Sequence, residues 1–295
     1  MSFTQFESPR KTHREILMQA KLSIIAAATA GAFLATPTFA ADWSDTSASW
    51  RYGTQFAEPG IDKDVKKNIF ALTHVSGFKY GSNFFNVDFL LSDENDPAAG
   101  GSGGAQEIYA VYENQLFLSK LTGTSFAYGP ITDLAIHTGI DAGAKNTEFA
   151  SRPLKFTFGP TVKFSVLGGW TDLSLLYYKE TNHNGIVGTD VNFKSTWRVA
   201  GAWGIPFDLG TLPMNVNGFF NYTGEKGKDG FGADTKPETL IDIFLMADVG
   251  ALAGKKGTFL AGVGYEYWQN KFGNDHTQVV GSTARTPMAK VEVHF

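Results

Sequence analysis

Apolar and polar residues alternate with a period of two along most of the chain from residue 44 onward. In the segment 240–249 apolar residues take every second position, and Asp242 and Asp248 lie among the positions between them. The last segment, 289–295, shows the same alternation and ends in Phe295. A β-strand points successive side chains to opposite faces, whereas a helix repeats every ~3.6 residues. The pattern therefore predicts strands with one apolar and one polar face.

About twelve such runs can be counted, each roughly 10–13 residues long. Strands of soluble proteins usually have about 5–6 residues, whereas tilted strands that cross a bilayer need about 9–11. The length of the runs therefore favours strands that span a membrane. The runs lie near residues 45–56, 68–80, 83–92, 106–118, 131–143, 154–166, 170–180, 191–203, 213–223, 238–251, 258–269 and 286–295.

The connections between the runs alternate between long polar segments and tight turns. This alternation predicts a 12-stranded antiparallel transmembrane β-barrel over residues 41–295, with short periplasmic turns and long extracellular loops. A secreted β-sandwich is the competing fold, but it would show shorter strands and more charge. The long connections are 93–105, 181–190, 224–237 and 270–285, the tight turns are 81–82, 167–169 and 254–257, and the exceptions are the longer connections 119–130 and 204–212.

The N-terminal segment has the three parts of a secretory signal peptide. Lys21 precedes an apolar stretch over residues 22–39, and the small residue Ala40 follows it. The apolar core of residues 22–35 is too short for a membrane-spanning helix, which needs about 20 residues. We predict a signal peptide over residues 1–40, with Met18 as an alternative translation start.

Composition agrees with this class of protein. Aromatic residues make up 14% of the chain and charged residues 18%, yet the mean hydropathy is only -0.13. Cysteine is absent, which excludes disulfides and thiolate chemistry. Without residues 1–40 the chain has 21 Lys and Arg against 27 Asp and Glu, a net charge of -6. This acidic balance argues against nucleic-acid binding.

Two segments resemble the nucleoside-specific channel-forming (Tsx, OmpK-like) family of outer-membrane proteins. The segment 119–130, SKLTGTSFAYGP, is similar to the family's periplasmic K-L-T-x-T…G-P connection. The segment 203–208, WGIPFD, is similar to a strand end followed by a turn that contains proline. The segment 47–53 departs from the nucleoside channels. The resemblance implies a monomeric, narrow, 12-stranded channel, and family members also serve as phage receptors.

The polar faces of the predicted strands supply candidate residues for the barrel lumen. Lys or Arg facing lipid at the midplane would cost about 2–4 kcal/mol, so ionisable side chains should point inward. Aromatic rings can stack on a base, and carboxylates and amides can accept hydrogen bonds from sugar hydroxyls. The alternative is that these residues only fill the interior with a salt-bridged network. The candidates for solute binding are Asp88, Glu107, Tyr109, Glu113, His137, Tyr178, Arg198, Asn217, Phe219, Asp242, Phe244, Asp248, Glu266, Trp268, Lys290 and Glu292, with Asp133, Lys163 and Asp172 as further inward positions.

Four of these carboxylates are expected to form one acidic cluster. Asp242 and Asp248 lie on one strand, Glu266 on the next and Glu292 on the one after, with Lys290 as the nearest basic residue. Because adjacent strands lie about 4.8 Å apart, these groups could share one wall. An acidic wall predicts weak selectivity for cations.

Patterns for enzyme or metal chemistry are weak. The glycine-rich segment 100–104 lacks the ending of a phosphate-binding loop, and the histidines after residue 40 show no His-x-x-x-His spacing. We expect no catalytic residues, no metal and no cofactor. We expect an interfacial girdle of aromatic side chains on the outward face. Its members are Trp50, Tyr52, Trp170, Tyr177, Trp197, Trp203, Tyr265 and Tyr267.

The sequence leaves two functions open. The first is an outer-membrane channel of a Gram-negative bacterium for passive diffusion of small neutral solutes, with nucleosides favoured by the resemblance. The second is a non-conducting or nearly closed barrel that acts through its loops in adhesion or surface recognition. The expected partners are outer-membrane lipid, lipopolysaccharide and the barrel-assembly machinery, which would read Phe295.

Signal-peptide removal can be tested directly. Expression in a Gram-negative host should give an outer-membrane protein whose N-terminal residue is Ala41. Intact-mass spectrometry and N-terminal sequencing of the membrane fraction measure this. A protein that retains residues 22–40 would contradict the prediction.

Overall fold

The computed structural model describes residues 41–295, so the predicted signal peptide lies outside the described residues. Thirteen strands run through this part of the chain. Twelve of them form one antiparallel sheet that closes on itself, and β8 only extends β7 at one end. The strands are β1 (Trp43–Phe56), β2 (Val65–Phe78), β3 (Gly81–Ser92), β4 (Gln106–Phe117), β5 (Ile131–Lys145), β6 (Leu154–Val166), β7 (Gly169–Asn184), β8 (Thr189–Asn192), β9 (Thr196–Leu209), β10 (Leu212–Thr223), β11 (Glu238–Asp248), β12 (Phe259–Gln269) and β13 (Thr283–His294).

Closure comes from pairing of the first and last strands. Trp50 of β1 lies opposite Val291 of β13, and this ladder continues to the chain end. On the far side, β6 pairs with β7, and β7 pairs in turn with β9. Every barrel strand therefore has two neighbours, which leaves no unpaired backbone edge in the wall. The predicted 12-stranded antiparallel barrel is confirmed.

The two faces of the strands differ in chemistry. On β7 the outward Leu173 and Leu175 are exposed, whereas the inward Asp172 and Ser174 are buried. Large apolar side chains are exposed on the outward face of strands all around the barrel. A continuous exposed apolar belt of this kind is stable against lipid rather than water.

Three predicted connections differ from the structure. Strand β9 continues to Leu209, so the predicted connection 204–212 is only the turn Gly210–Thr211. The alternation of the strand continues through this region, because Ile205 and Phe207 point outward. The predicted tight turn 254–257 belongs to a longer connection that contains a 3-10 helix, Val249–Ala253. The predicted loop 181–190 is largely the extended β7–β8 hairpin.

The remaining connections follow the predicted alternation. Long loops join the strands at the end assigned as extracellular, whereas Lys79–Tyr80 and Leu167–Gly168 are two-residue turns at the periplasmic end. The periplasmic connection 118–130 begins with the short helix α1 (Leu118–Thr122). Within residues 41–295 no helix is long and apolar enough to cross a membrane.

Part of the barrel interior is apolar. One cluster of buried side chains comes from β1, β2, β11 and β13, on the inward face of these strands. The ring of Phe244 lies over Gly264 of the neighbouring strand, where a Cβ atom would overlap it. The interior near these strands is therefore filled by side chains. The cluster consists of Phe56, Val65, Ile69, Phe244, Met246 and Met288, with Leu90 and Leu260 packed against it.

The outward face of β7 offers a test of the membrane assignment. Leu175→Lys should lower the free energy of unfolding by about 2–4 kcal/mol, because a charge near the middle of the wall would face lipid. Urea titrations in lipid vesicles, read by heat-dependent gel migration, measure this change. Leu167→Lys in the turn Leu167–Gly168 is the matched control and should cost about 1 kcal/mol or less. Equal losses for the two variants would contradict the membrane assignment of β7.

Candidate functional site

The strand register places all sixteen candidate residues on the face that points into the barrel. The inward face is identified by side chains that meet across the interior, such as Arg51 of β1 with Asp88 of β3 and Asp242 of β11. Residues that pair directly across neighbouring strands point to the same face, so the register extends this assignment to the other strands. For example, Asp242 lies directly opposite Phe219 and Glu266, and all three point inward. Their role in solute binding stays a prediction.

Arg51 is the centre of the charged part of the lumen. Its guanidinium donates a hydrogen bond to Asp88, and Nη1 lies 3.6 Å from Oδ2 of Asp242. The amide of Asn86 also donates to Asp88, at 2.9 Å. Arg51 was not among the predicted lumen residues. The sequence does indicate that Arg51 points inward, because it lies between the outward aromatic residues Trp50 and Tyr52.

A second polar network lies on the wall formed by β4 to β9. Tyr109 donates to Asp141 at 3.0 Å, and the ammonium of Lys155 donates to the Tyr109 hydroxyl at 2.8 Å. The guanidinium of Arg198 lies 4.3 Å from the ring centre of Tyr178. Such cation–aromatic contacts are more favourable away from water. This wall therefore holds its charges in fixed positions.

Ion pairs also fill the periplasmic end of the lumen. Lys163 lies 2.7 Å from Asp172, and Lys290 lies 2.6 Å from Glu292. His294 lies within hydrogen-bond distance of Glu292, at 2.9 Å. Lys290, the basic residue nearest to the expected acidic cluster, is thus paired with one of its carboxylates.

The expectation of a single acidic cluster is wrong. Only Asp242 and Glu266 are direct neighbours, and Arg51 lies beside Asp242. Asp248 instead accepts hydrogen bonds from backbone N–H groups of the turn that follows β11, and Glu292 is bonded to Lys290. The error has a simple cause, because strand parity gives the face of a residue but not its height in the barrel.

One wall of the lumen is neutral and open. Asn215, Asn217, Phe219 and Asn221 occupy the inward positions of β10. Although Phe219 points inward, 37% of it is exposed, so water reaches the interior there. The side-chain amides of the three asparagines make no hydrogen bond to any residue of the described part of the chain. The facing inward positions of β9 include the small side chains of Ala200 and Ala202.

A buried cluster of charges lies beneath the extracellular loops; we call it the Glu58 cluster. Glu58 lies 2.5 Å from Lys67, 3.0 Å from Lys145 and 3.2 Å from Lys271, and Lys145 also lies 2.8 Å from Asp96. These residues belong to three different loops and the ends of β2 and β5. The cluster therefore ties the loops together over the barrel mouth.

The lysines decide the ionisation of Glu58. Burial on its own raises the pKa of Glu58, but the positive charges of Lys271, Lys67 and Lys145 outweigh burial and hold this pKa well below its usual range. A carboxylate with a lowered pKa in the folded state stabilises that state above its unfolded pKa, and this contribution is lost as the pH falls through the folded pKa. The cluster should therefore stay charged at neutral and mildly acidic pH.

Seven of the eight predicted girdle residues lie on the outward face. Trp50 and Tyr52 stack with ring centres 6.1 Å apart, and Trp50 donates to the outward Asn68. Trp170 is the exception, because the register places it on the inward face with Asp172, beside Gly204 of β9. It lies next to a two-residue turn, where alternation is too short to reveal the face.

Comparisons with known proteins find similar barrels but no family. No family model matches the chain, and no curated protein matches it in sequence. The translocator domain of autotransporter NalP from Neisseria meningitidis is 12% identical with a TM-score of 0.44, over 85% of this chain and 88% of that one. The NanC porin is 7% identical with a TM-score of 0.44, over 85% and 99%. The KdgM porin is 8% identical with a TM-score of 0.42, over 84% and 99%.

Replacement of Glu58 tests the role of the Glu58 cluster. Glu58→Gln should leave three lysines without their shared carboxylate and loosen the loops. When the protein is reconstituted in intact vesicles, protease cleavage of its extracellular loops should therefore rise at pH 7. The wild type should resist cleavage from pH 7 to about pH 5, since an ordinary Glu pKa is about 4.3 and that of Glu58 is lower. Glu94→Gln, an exposed loop residue, is the control. Equal cleavage of both variants would show that the cluster does not hold the loops.

Proposed function

We propose that this chain is a narrow outer-membrane channel for passive diffusion of small neutral solutes. The observation that carries the proposal is the open wall of β10, where Phe219 is exposed to the interior and Asn217 and Asn221 have no partner among the described residues. Neutral amides and an aromatic ring attract uncharged polar solutes without holding them tightly. A conducting pore needs such weak sites, because a solute must also leave.

Nucleosides are our first choice of solute. Their flat bases can stack on aromatic rings, and such stacking contributes about 1–3 kcal/mol per base in proteins that bind single strands. Phe219 and Trp268 supply inward aromatic rings, whereas the inward ring of Tyr178 is buried beneath Arg198. The choice of nucleosides over other neutral solutes rests on the resemblance to the nucleoside-specific family alone.

The same channel should favour cations weakly. Inward carboxylates outnumber inward cationic side chains, and most of the cations are paired. Asp88 and Asp242 share the nearby cation Arg51, whereas Glu266 makes no ion pair with any residue of the described part of the chain. A surplus of carboxylate charge in a water-filled pore raises the local concentration of cations.

A second candidate function is surface recognition through the extracellular loops. It is favoured by the buried Glu58 cluster beneath the loops and by the apolar cluster around Phe244 and Met246 inside the barrel. Both restrict the space through which a solute could pass. In this case the barrel would serve as a rigid support for the loops.

Reconstitution into planar bilayers tests the two functions against each other. The channel proposal expects small, discrete conductance steps, liposome swelling with uncharged nucleosides, and a reversal potential in a salt gradient that indicates weak cation preference. Asp242→Asn should reduce this preference, because it removes a carboxylate beside Arg51.

The contrary results are equally specific. A folded barrel without conductance or swelling would favour the recognition function. An anion-selective wild type, or unchanged selectivity in Asp242→Asn, would show that Asp242 does not influence the ion path. Heat-dependent gel migration confirms that each preparation is folded.

A further inference from the structure

The apolar belt on the outward face of the barrel is interrupted by polar side chains in the periplasmic half of β1 to β4. Ser76 and Asn83 pair with each other, each at the third position from the turn Lys79–Tyr80. At the same distance from the turn Gly210–Thr211, the paired outward residues are Phe207 and Met214. We call the polar group the outer polar patch, and its members are Thr46, His74, Ser76, Asn83, Tyr112 and Asn114.

The outer polar patch lies at the depth of the lipid chains. Phe70 of β2 lies opposite Trp50 of the aromatic girdle, and Tyr80 belongs to the periplasmic turn. The segment from Phe70 to Tyr80 covers about 33 Å along the strand, which is about 25 Å of depth at a tilt of about 40° and equals the height of the apolar band. His74 lies between these limits and bonds to Thr46 at 2.8 Å. The patch is therefore inside the band rather than in the periplasm.

The two amides of the patch are only partly satisfied. The hydroxyl of Tyr112 donates to Oδ1 of Asn83 at 2.8 Å, and Nδ2 of Asn114 donates to the same oxygen at 2.9 Å. Nδ2 of Asn83 and Oδ1 of Asn114 have no hydrogen-bond partner among residues 41–295. Neither atom is fully buried, so both can be reached from outside the barrel. In hydrocarbon no water can replace the absent partner, so an unpaired amide group there is costly.

A second copy of this chain can satisfy both amide groups, whereas lipid cannot. Acyl chains neither donate nor accept hydrogen bonds, and lipid ester groups only accept them. Two copies have the same orientation in the membrane, so a two-fold axis along the membrane normal brings their patches together at the same depth. Asn83 and Asn114 are direct neighbours on β3 and β4, and an axis between these strands exchanges their positions. The free donor of Asn83 in each copy then faces the free acceptor of Asn114 in the other.

We propose that the outer polar patch is the contact surface of a homodimer in the outer membrane. Within lipid the hydrophobic effect does not drive proteins together, so hydrogen bonds between side chains and close packing of small residues hold such contacts. Ala110 and Ala142 are paired outward neighbours beside the patch, and their small side chains let two walls approach closely. The inference is independent of the proposed channel function. It replaces the monomer that the family resemblance implies.

Sedimentation equilibrium of the folded barrel in density-matched detergent micelles measures this association. The wild type should form dimers. The double variant Asn83→Leu with Asn114→Leu should weaken association about tenfold, because two hydrogen bonds between the copies are lost. Asn68→Leu is the matched control, since Asn68 is also an outward asparagine but accepts a hydrogen bond from Trp50 of its own chain. This variant should associate as the wild type does.

Crosslinking in lipid vesicles locates the contact on the barrel wall. The chain contains no cysteine, so a single introduced thiol reports on one position. With copper phenanthroline as the oxidant, Ala110→Cys should give a disulfide-linked dimer, because residue 110 lies close to the two-fold axis. Ala261→Cys is the matched control on the outward face of β12 and should stay monomeric. Heat-dependent gel migration verifies that each variant is folded.

The contrary outcomes are distinct from one another. A folded wild type that remains monomeric, or equal crosslinking at residues 110 and 261, would overturn the dimer. Unchanged association of the double leucine variant would show that the outer polar patch is not the contact surface. Native mass spectrometry that finds monomers with tightly bound phospholipid, which the double variant loses, would assign the patch to lipid instead.

Discussion

A strand that crosses a bilayer meets no water, so every amide and carbonyl of its backbone must bond to another strand. In this chain the pairing of β1 with β13 meets that requirement and closes the sheet. Everything else in the structure depends on this closure. It gives each strand one face toward lipid and one toward the lumen, and it brings the polar residues of twelve separate strands into a single interior. Arg51, Asp88 and Asp242 meet only because the barrel closes.

The interior resolves its concentration of charge by pairing. Many partners lie far apart in the chain, and Glu58 and Lys271 are 213 positions apart. Each pair reduces the cost of taking its charges out of water, and removal of one partner would leave the other exposed to that cost. The paired charges are therefore fixed, whereas the asparagine side chains of β10 make no hydrogen bond to any residue of the described part of the chain. In this barrel the neutral inward positions concentrate on β9 and β10, beside Phe219.

The face on which each strand residue lies was predictable from the sequence. Alternate residues point to only two faces, and charged side chains are excluded from the face toward lipid. This is why all sixteen lumen candidates lie inward, and why Trp170, at the start of a strand, was misassigned. The height of each residue was not predictable, because it depends on how far neighbouring strands slide past each other. Glu292 was therefore grouped with Glu266, but Thr286 lies opposite Glu266, six residues away along β13. Asp248 is a different case, because it lies about 20 Å from Asp242 on the same strand and bonds to a turn. The Glu58 cluster also had no local signal, since its members come from separate loops.

The two buried clusters also determine where space remains in the barrel. Phe56 and Val65 place the apolar cluster next to Lys67 of the Glu58 cluster, whose ammonium lies 5.6 Å from the ring centre of Phe56. Together they fill the interior beside β1 and β2. The neutral inward side chains lie elsewhere, on β9 and β10, where Ala202 faces the exposed ring of Phe219. The two clusters therefore leave the uncharged and water-accessible part of the inner wall to these two strands.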